Sequence, residues 1–115
     1  MRNMLIPGMV ILFLLAIVTA GCARTDKIGD ILANPLQYEG KTVHISGYVG
    51  NTVWFSALTR GAYELGDGTS KTIWVVTSQP PPSKGARINV TGTVSTAFKL
   101  GDRTFGTVVN EIARK

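Results

Sequence analysis

From Thr42 onward the chain alternates between apolar and polar side chains with a period of two, the spacing of a half-buried β-strand. In "TVHISGYVG", Val43, Ile45, Gly47 and Val49 fall on one face, and His44, Ser46 and Tyr48 on the other. "GAYELGDG" sets Tyr63 and Leu65 together, and Asp67-Gly68 is a turn signal. "KTIWVVTS" points Ile73 and Val75 inward and Thr72, Trp74 and Val76 outward. The prolines of "SQPPPSKG" lack the donor that a central ladder needs, so this stretch is a stiff loop. "ARINVTGTVSTAF" aligns Ile88, Val90, Gly92 and Val94, "LGDR" turns the chain, and "TFGTVVNEIAR" returns as the last strand. Trp54 and Phe55 sit where the first strand runs into a loop, and Phe98 and Phe105 flank the last turn.

One segment has a different period. In "TDKIGDILANPLQYEGK", Ile28, Ile31 and Leu32 recur at helical spacing, with Thr25 or Asp26 as N-cap. Asn34-Pro35 ends the helix, because a residue before proline avoids the α region. So short a helix forms only by packing its apolar side on something. The fold class is therefore all-β with one short N-terminal helix. Five strands in an open sheet would leave two exposed edges. Glycines midway along the two longest strands, Gly47 and Gly92, allow the sharp bends of a closed barrel.

The first 21 residues follow neither pattern. Arg2 precedes an apolar stretch, Met9 to Ala20, and the small pair Ala20-Gly21 stands before Cys22, the sole cysteine. That order is a secretory signal. "VTAGC" resembles the lipobox of prokaryotic lipoproteins, with Thr19 where that family usually has leucine. The resemblance implies cleavage before Cys22 and a diacylglycerol on its thiol. The alternative is an uncleaved anchor, since residues 4–21 carry no charge and number just enough to span. Both readings place the remainder at a cell membrane or outer membrane, facing periplasm or exterior. The expected division is a signal peptide over 1–21, a lipid-anchored tether over 22–26 and a single domain over 27–115. With no second cysteine, that domain's stability comes from packing.

Charge adds little. The chain carries 12 Lys and Arg against 7 Asp and Glu, a formal +5 with only Arg2 in the leader, and no charge run beyond Arg114-Lys115. Arg24 and Lys27 lie beside the expected anchor, where anionic headgroups attract each by about 1 kcal/mol.

The quoted strands together resemble the oligonucleotide/oligosaccharide-binding (OB) fold, in its anticodon-binding-like branch. "YELGDGT" matches that group's junction of strands two and three, and "GARINVTGTV" its fourth strand. The resemblance spans roughly residues 40–112 and implies a five-stranded Greek-key barrel. Two features depart from the pattern: a proline loop stands where many OB folds place a helix, and Ser70 replaces a second turn glycine. The fold is compatible with many functions.

Catalysis needs positioned acids, bases or nucleophiles, and this chain has one histidine, His44, on an outward face. Asp67 is expected to cap its own turn. No phosphate-cradling loop and no metal-ligand spacing occurs, so no enzyme, cofactor or metal is expected. Periplasmic haem chaperones share such a fold but attach haem through a C-terminal histidine, and none lies beyond His44. OB folds bind on the outer face of strands two and three. Here that face carries Trp74, Thr72, Val76 and Glu64, with Arg60 and Lys71 at the strand ends. The candidate ligand-binding set is Trp74, Arg60, Lys71 and Thr72, unless the N-terminal helix or the proline loop covers Trp74. The main expectation is an envelope lipoprotein with a non-catalytic binding or adaptor domain, whose partner is an envelope protein or an oligomeric ligand. The alternatives are a single-stranded nucleic-acid binder, which Glu64 disfavours, and a structural lipoprotein with no small ligand.

Overall fold

The computed structural model describes residues 25–115. It comprises two short helices, α1 (Ile28–Ala33) and α2 (Pro35–Tyr38), and five strands: β1 (Thr42–Phe55), β2 (Arg60–Gly66), β3 (Thr72–Thr77), β4 (Arg87–Leu100) and β5 (Arg103–Arg114). The strands close in the order β1-β2-β3-β5-β4, antiparallel throughout except for the parallel pair β3 and β5. This is the five-stranded barrel expected from the sequence.

Closure depends on backbone approach at two glycines. A Cβ on Gly47 would lie 2.2 Å from the Gly66 carbonyl oxygen, and one on Gly92 would lie 2.4 Å from that of Asn110. Both positions lie midway along strands that bend across two neighbours. β1 pairs first with β4 and then, past an irregularity between Val49 and Thr52, with β2.

The inward residues behave as their alternation predicts. Val43, Ile45, Val49, Tyr63, Leu65, Ile73, Val75, Ile88, Val90, Val94 and Val109 form one buried cluster, completed by Ile28 and Ile31 of α1. The N-terminal helix thus contributes apolar side chains to the barrel core, while the β3–β4 connection is a non-helical proline loop.

Local details differ from expectation. Lys27, not Thr25 or Asp26, is the N-cap of α1, and no side chain caps it. The Asp26 carboxylate instead accepts the His44 backbone N–H at 3.0 Å, and the Asp26 N–H donates to the His44 carbonyl at 2.7 Å. A β1 partner has taken the side chain that a free helix would use. Asn34-Pro35 does end α1, but Pro35 then opens α2, where its missing N–H costs nothing. Trp54 and Phe55 are the last two residues of β1, where it runs into the β1–β2 connection as expected. Asp67 caps its own turn, accepting from the Thr69 N–H at 2.9 Å and the Thr69 hydroxyl at 2.5 Å. Those bonds hold its carboxyl below the usual range.

One end of β3 meets a polar network. Glu111 accepts from the Tyr63 hydroxyl at 2.5 Å, the Thr77 hydroxyl at 2.8 Å and the Arg114 guanidinium at 3.3 Å. Arg114 also donates to the Pro80 carbonyl at 2.6 Å, which ties the proline loop to the barrel. The Glu111 side chain is only 3% exposed, so its partners offset the cost of burying a charge. Burial, then the bond to Glu111, pushes the Tyr63 hydroxyl well above its ordinary range.

Candidate functional site

The outer face of β2, β3 and β5 is more deeply covered than alternation predicts. Val76, expected outward and exposed, is 1% exposed, and Ala62 and Val108 on the same face are fully buried. Outward apolar residues in a barrel need a second layer, and side chains of the β4–β5 hairpin approach this side at Trp74 and Arg60. Irregularities between Ser95 and Phe98 and between Phe98 and Lys99, with Ala97 at φ +52°, bend the β4–β5 hairpin. Its tip reaches the end of β1, where a Cβ on Gly101 would touch the Phe55 ring at 3.7 Å.

The hairpin also delivers the neighbours of Trp74. Phe105 meets the indole edge-on, with centroids 5.0 Å apart and planes at 70°. The Arg103 guanidinium carbon lies 5.2 Å from both ring centroids. Arg60 sits 5.7 Å from the Phe98 ring. Trp74, Phe98 and Phe105 remain half-exposed, while both arginines are exposed. The surface thus alternates flat rings with guanidinium planes, each such pair contributing about 0.5–1 kcal/mol where solvent reaches it. The β4–β5 hairpin thus supplies neighbours of Trp74 through Phe105 and Arg103.

The four sequence candidates do not converge. Antiparallel pairing of β2 with β3 places Gly66 opposite Thr72 and Gly61 opposite Thr77. Arg60 therefore stands at one end of the ladder, and Lys71 and Thr72 at the other. Trp74 lies between, opposite Glu64. Arg60 shares the aromatic surface, whereas Lys71 ends the β2–β3 turn near Gly29 of α1 and Thr72 opens β3 beside it. Glu64 is engaged elsewhere, since its carboxylate accepts the Asn51 N–H at 3.2 Å, at the β1 irregularity.

Arg103, Phe105 and Phe98 were missed as members of this surface. Their signal was present, since β4 runs on for six residues beyond Val94, the partner of Val109, with Phe98 and Leu100 still apolar. His44 is exposed as expected, with Nδ1 3.0 Å from the Thr91 hydroxyl. Among the described residues, no group of three His, Cys, Asp or Glu could hold a metal, and no helix is long and apolar enough to cross a membrane. Cys22 and the signal segment lie outside the described residues. The arrangement offers stacking planes and positive charge, which suits binding more than bond-making.

No family model and no curated protein sequence matches the chain. Solved structures do. A putative aspartyl-tRNA synthetase from Leishmania major Friedlin aligns with a TM-score of 0.61 at 15% identity, covering 79% of this chain and 20% of its own. The asparaginyl-tRNA synthetase from Pyrococcus horikoshii, complexed with asparaginyl-adenylate, aligns with a TM-score of 0.55 at 14% identity, covering 69% and 19%. The chain spans about a fifth of each synthetase, and at such identity the likeness is one of fold: this is an all-β, OB-type barrel.

Proposed function

We propose that this protein is a non-catalytic OB-fold binding module that takes single-stranded nucleic acid on the outer face of β3 and β5. The observation that carries this reading is the cluster of Trp74, Phe105 and Arg103, in which a guanidinium lies against two partly open rings. Bases stack on such rings at about 1–3 kcal/mol each, and arginines neutralise the phosphates between them. Arg60 against Phe98 extends the surface towards the end of β1. Engagement of Glu64 by the Asn51 N–H removes part of its objection to phosphate. The fold shared with two tRNA synthetases agrees with this ligand class without fixing it.

The test follows Trp74 fluorescence in residues 25–115, which contain the whole described core, with Trp54→Phe so that one indole reports. Single-stranded oligonucleotide should quench it saturably, and affinity should fall steeply with salt as counterions are released. Trp74→Ala should weaken binding about 5- to 150-fold, the equivalent of one stacked base. An indole that ignores oligonucleotide at low salt sinks this reading and points to a protein partner at the envelope.

A second, compatible reading concerns location. An uncharged stretch over residues 4–21 that ends in Ala20-Gly21, immediately before Cys22, favours export and a lipid on Cys22. In this reading the barrel holds its ligand at the outer surface of a membrane. Labelled fatty acid should enter the wild-type chain and not Cys22→Ser; equal labelling of both would refute acylation there.

A further inference from the structure

We infer that the corner formed by α2 and the start of β1 rests on the lipid surface, with Leu36 entering it. This rests on the tether reading given above. Asp26 is four residues from Cys22, so extended chain separates them by at most about 14 Å. Whatever surrounds Asp26 is held that close to the membrane.

What surrounds it is a cleft of about 580 Å³ between α2 and β1, lined by Asp26, Gln37, Tyr38, Lys41, Thr42 and His44, with Val43 also on its wall. Hydrogen bonds in both directions between Asp26 and His44 fix the outgoing chain against this wall. Leu36 adjoins the cleft through Gln37 and is 80% exposed, the most open of the large apolar side chains described. Ala33, Pro35 and Leu36 line a further shallow hollow at the same corner. Burial of Leu36 in the barrel is ruled out by helix geometry: α2 is a single turn whose Tyr38 packs on the core. Leu36, open to solvent beside the point where the chain departs for its anchor, finds its natural cover in lipid, with the polar cleft walls at the headgroup level.

Charge decides which lipid. Residues 24–42 carry Arg24, Lys27 and Lys41 against Asp26, Asp30 and Glu39, a formal balance of zero. The three acids offset the attraction that Arg24 and Lys27 alone would have for anionic headgroups, so docking should not depend on their fraction. The partner is a lipid surface chosen by its apolar interior, not by its charge. Docking here leaves Leu58, beyond the far end of the 14-residue β1, away from the lipid.

The experiment places single tryptophan probes in the full chain, reconstituted in phosphatidylcholine vesicles with and without phosphatidylglycerol. In a Trp54→Phe background, Leu36→Trp and Leu58→Trp are compared for quenching by bromine-labelled acyl chains, with Trp74 common to both. Leu36→Trp should emit at shorter wavelength and lose emission to brominated lipid equally in both membranes, while Leu58→Trp should lose none. If the Leu36→Trp chain is vesicle-bound yet quenched no more than the Leu58→Trp chain, the docking is overturned and the tether stands. Quenching that appears only with phosphatidylglycerol overturns the charge-balance argument and with it the proposed partner. A chain that does not float with vesicles at all overturns tether and docking together.

Discussion

Replacing Tyr63 by phenylalanine removes one hydroxyl and leaves the ring in place. That hydroxyl donates to Glu111 at 2.5 Å from a residue with no exposure. A bond to a charged acceptor is worth about 1.5–3 kcal/mol. The low end applies, because Glu111 keeps the Thr77 hydroxyl and Arg114, so about 1.5 kcal/mol should be lost at neutral pH. For a domain of this size that lowers Tm by about 6–12 °C. The pH dependence is more telling. Tyr63 in the folded chain is held neutral far above its ordinary value of 10.0, first by burial and then by the Glu111 carboxylate. The unfolded chain releases that proton above its ordinary value while the folded chain keeps it, so stability falls as pH rises. The slope is about 1.4 kcal/mol per pH unit from this one group. The phenylalanine variant has no such proton. Its deficit of about 1.5 kcal/mol at neutral pH should shrink to nearly nothing at about pH 11, all other groups cancelling. Denaturant unfolding of residues 25–115 for both chains, at the two pH values, measures this directly. A gap that stays constant between them would refute the assignment of a buried, neutral tyrosine.

Other expectations follow from the same geometry. Gly92→Ala should cost about 1–3 kcal/mol, because its Cβ would lie 2.5 Å from a Val109 methyl and closer still to the Asn110 carbonyl oxygen, whereas Gly50→Ala meets only the movable Glu64 side chain and should cost less in the same melts. Thr59 is a β-branched residue at φ +50°, so Thr59→Gly should raise stability by about 0.5–1 kcal/mol, against the usual sign for a glycine substitution. Arg103→Ala should red-shift Trp74 emission by admitting water and should weaken oligonucleotide binding with a shallower salt slope, while leaving the melting curve almost unchanged.

Alternation along the chain determined the strands and their inward faces, since side-chain direction in a strand is a local, two-residue property. Val43, Ile45, Tyr63, Ile73 and Val90 are all in the core where their phase places them. The turn at Asp67 was equally legible, because its hydrogen bonds reach only two residues. Closure was inferable too, from glycines where side chains would be expected. What tertiary structure alone decided was the fate of the outward faces. Val76 and Trp74 share one phase, yet Val76 is fully buried and Trp74 half-open. The β4–β5 hairpin, distant along the chain, brings Phe105 and Arg103 to Trp74 and Phe98 to Arg60. Register likewise separated Arg60 from Lys71, which had been grouped as residues at the strand ends. The helix cap shifted for a similar reason, as His44, distant in sequence, took the Asp26 carboxylate. Periodicity reports which side of its own strand a residue occupies; only the packed chain reports what lies across from that side.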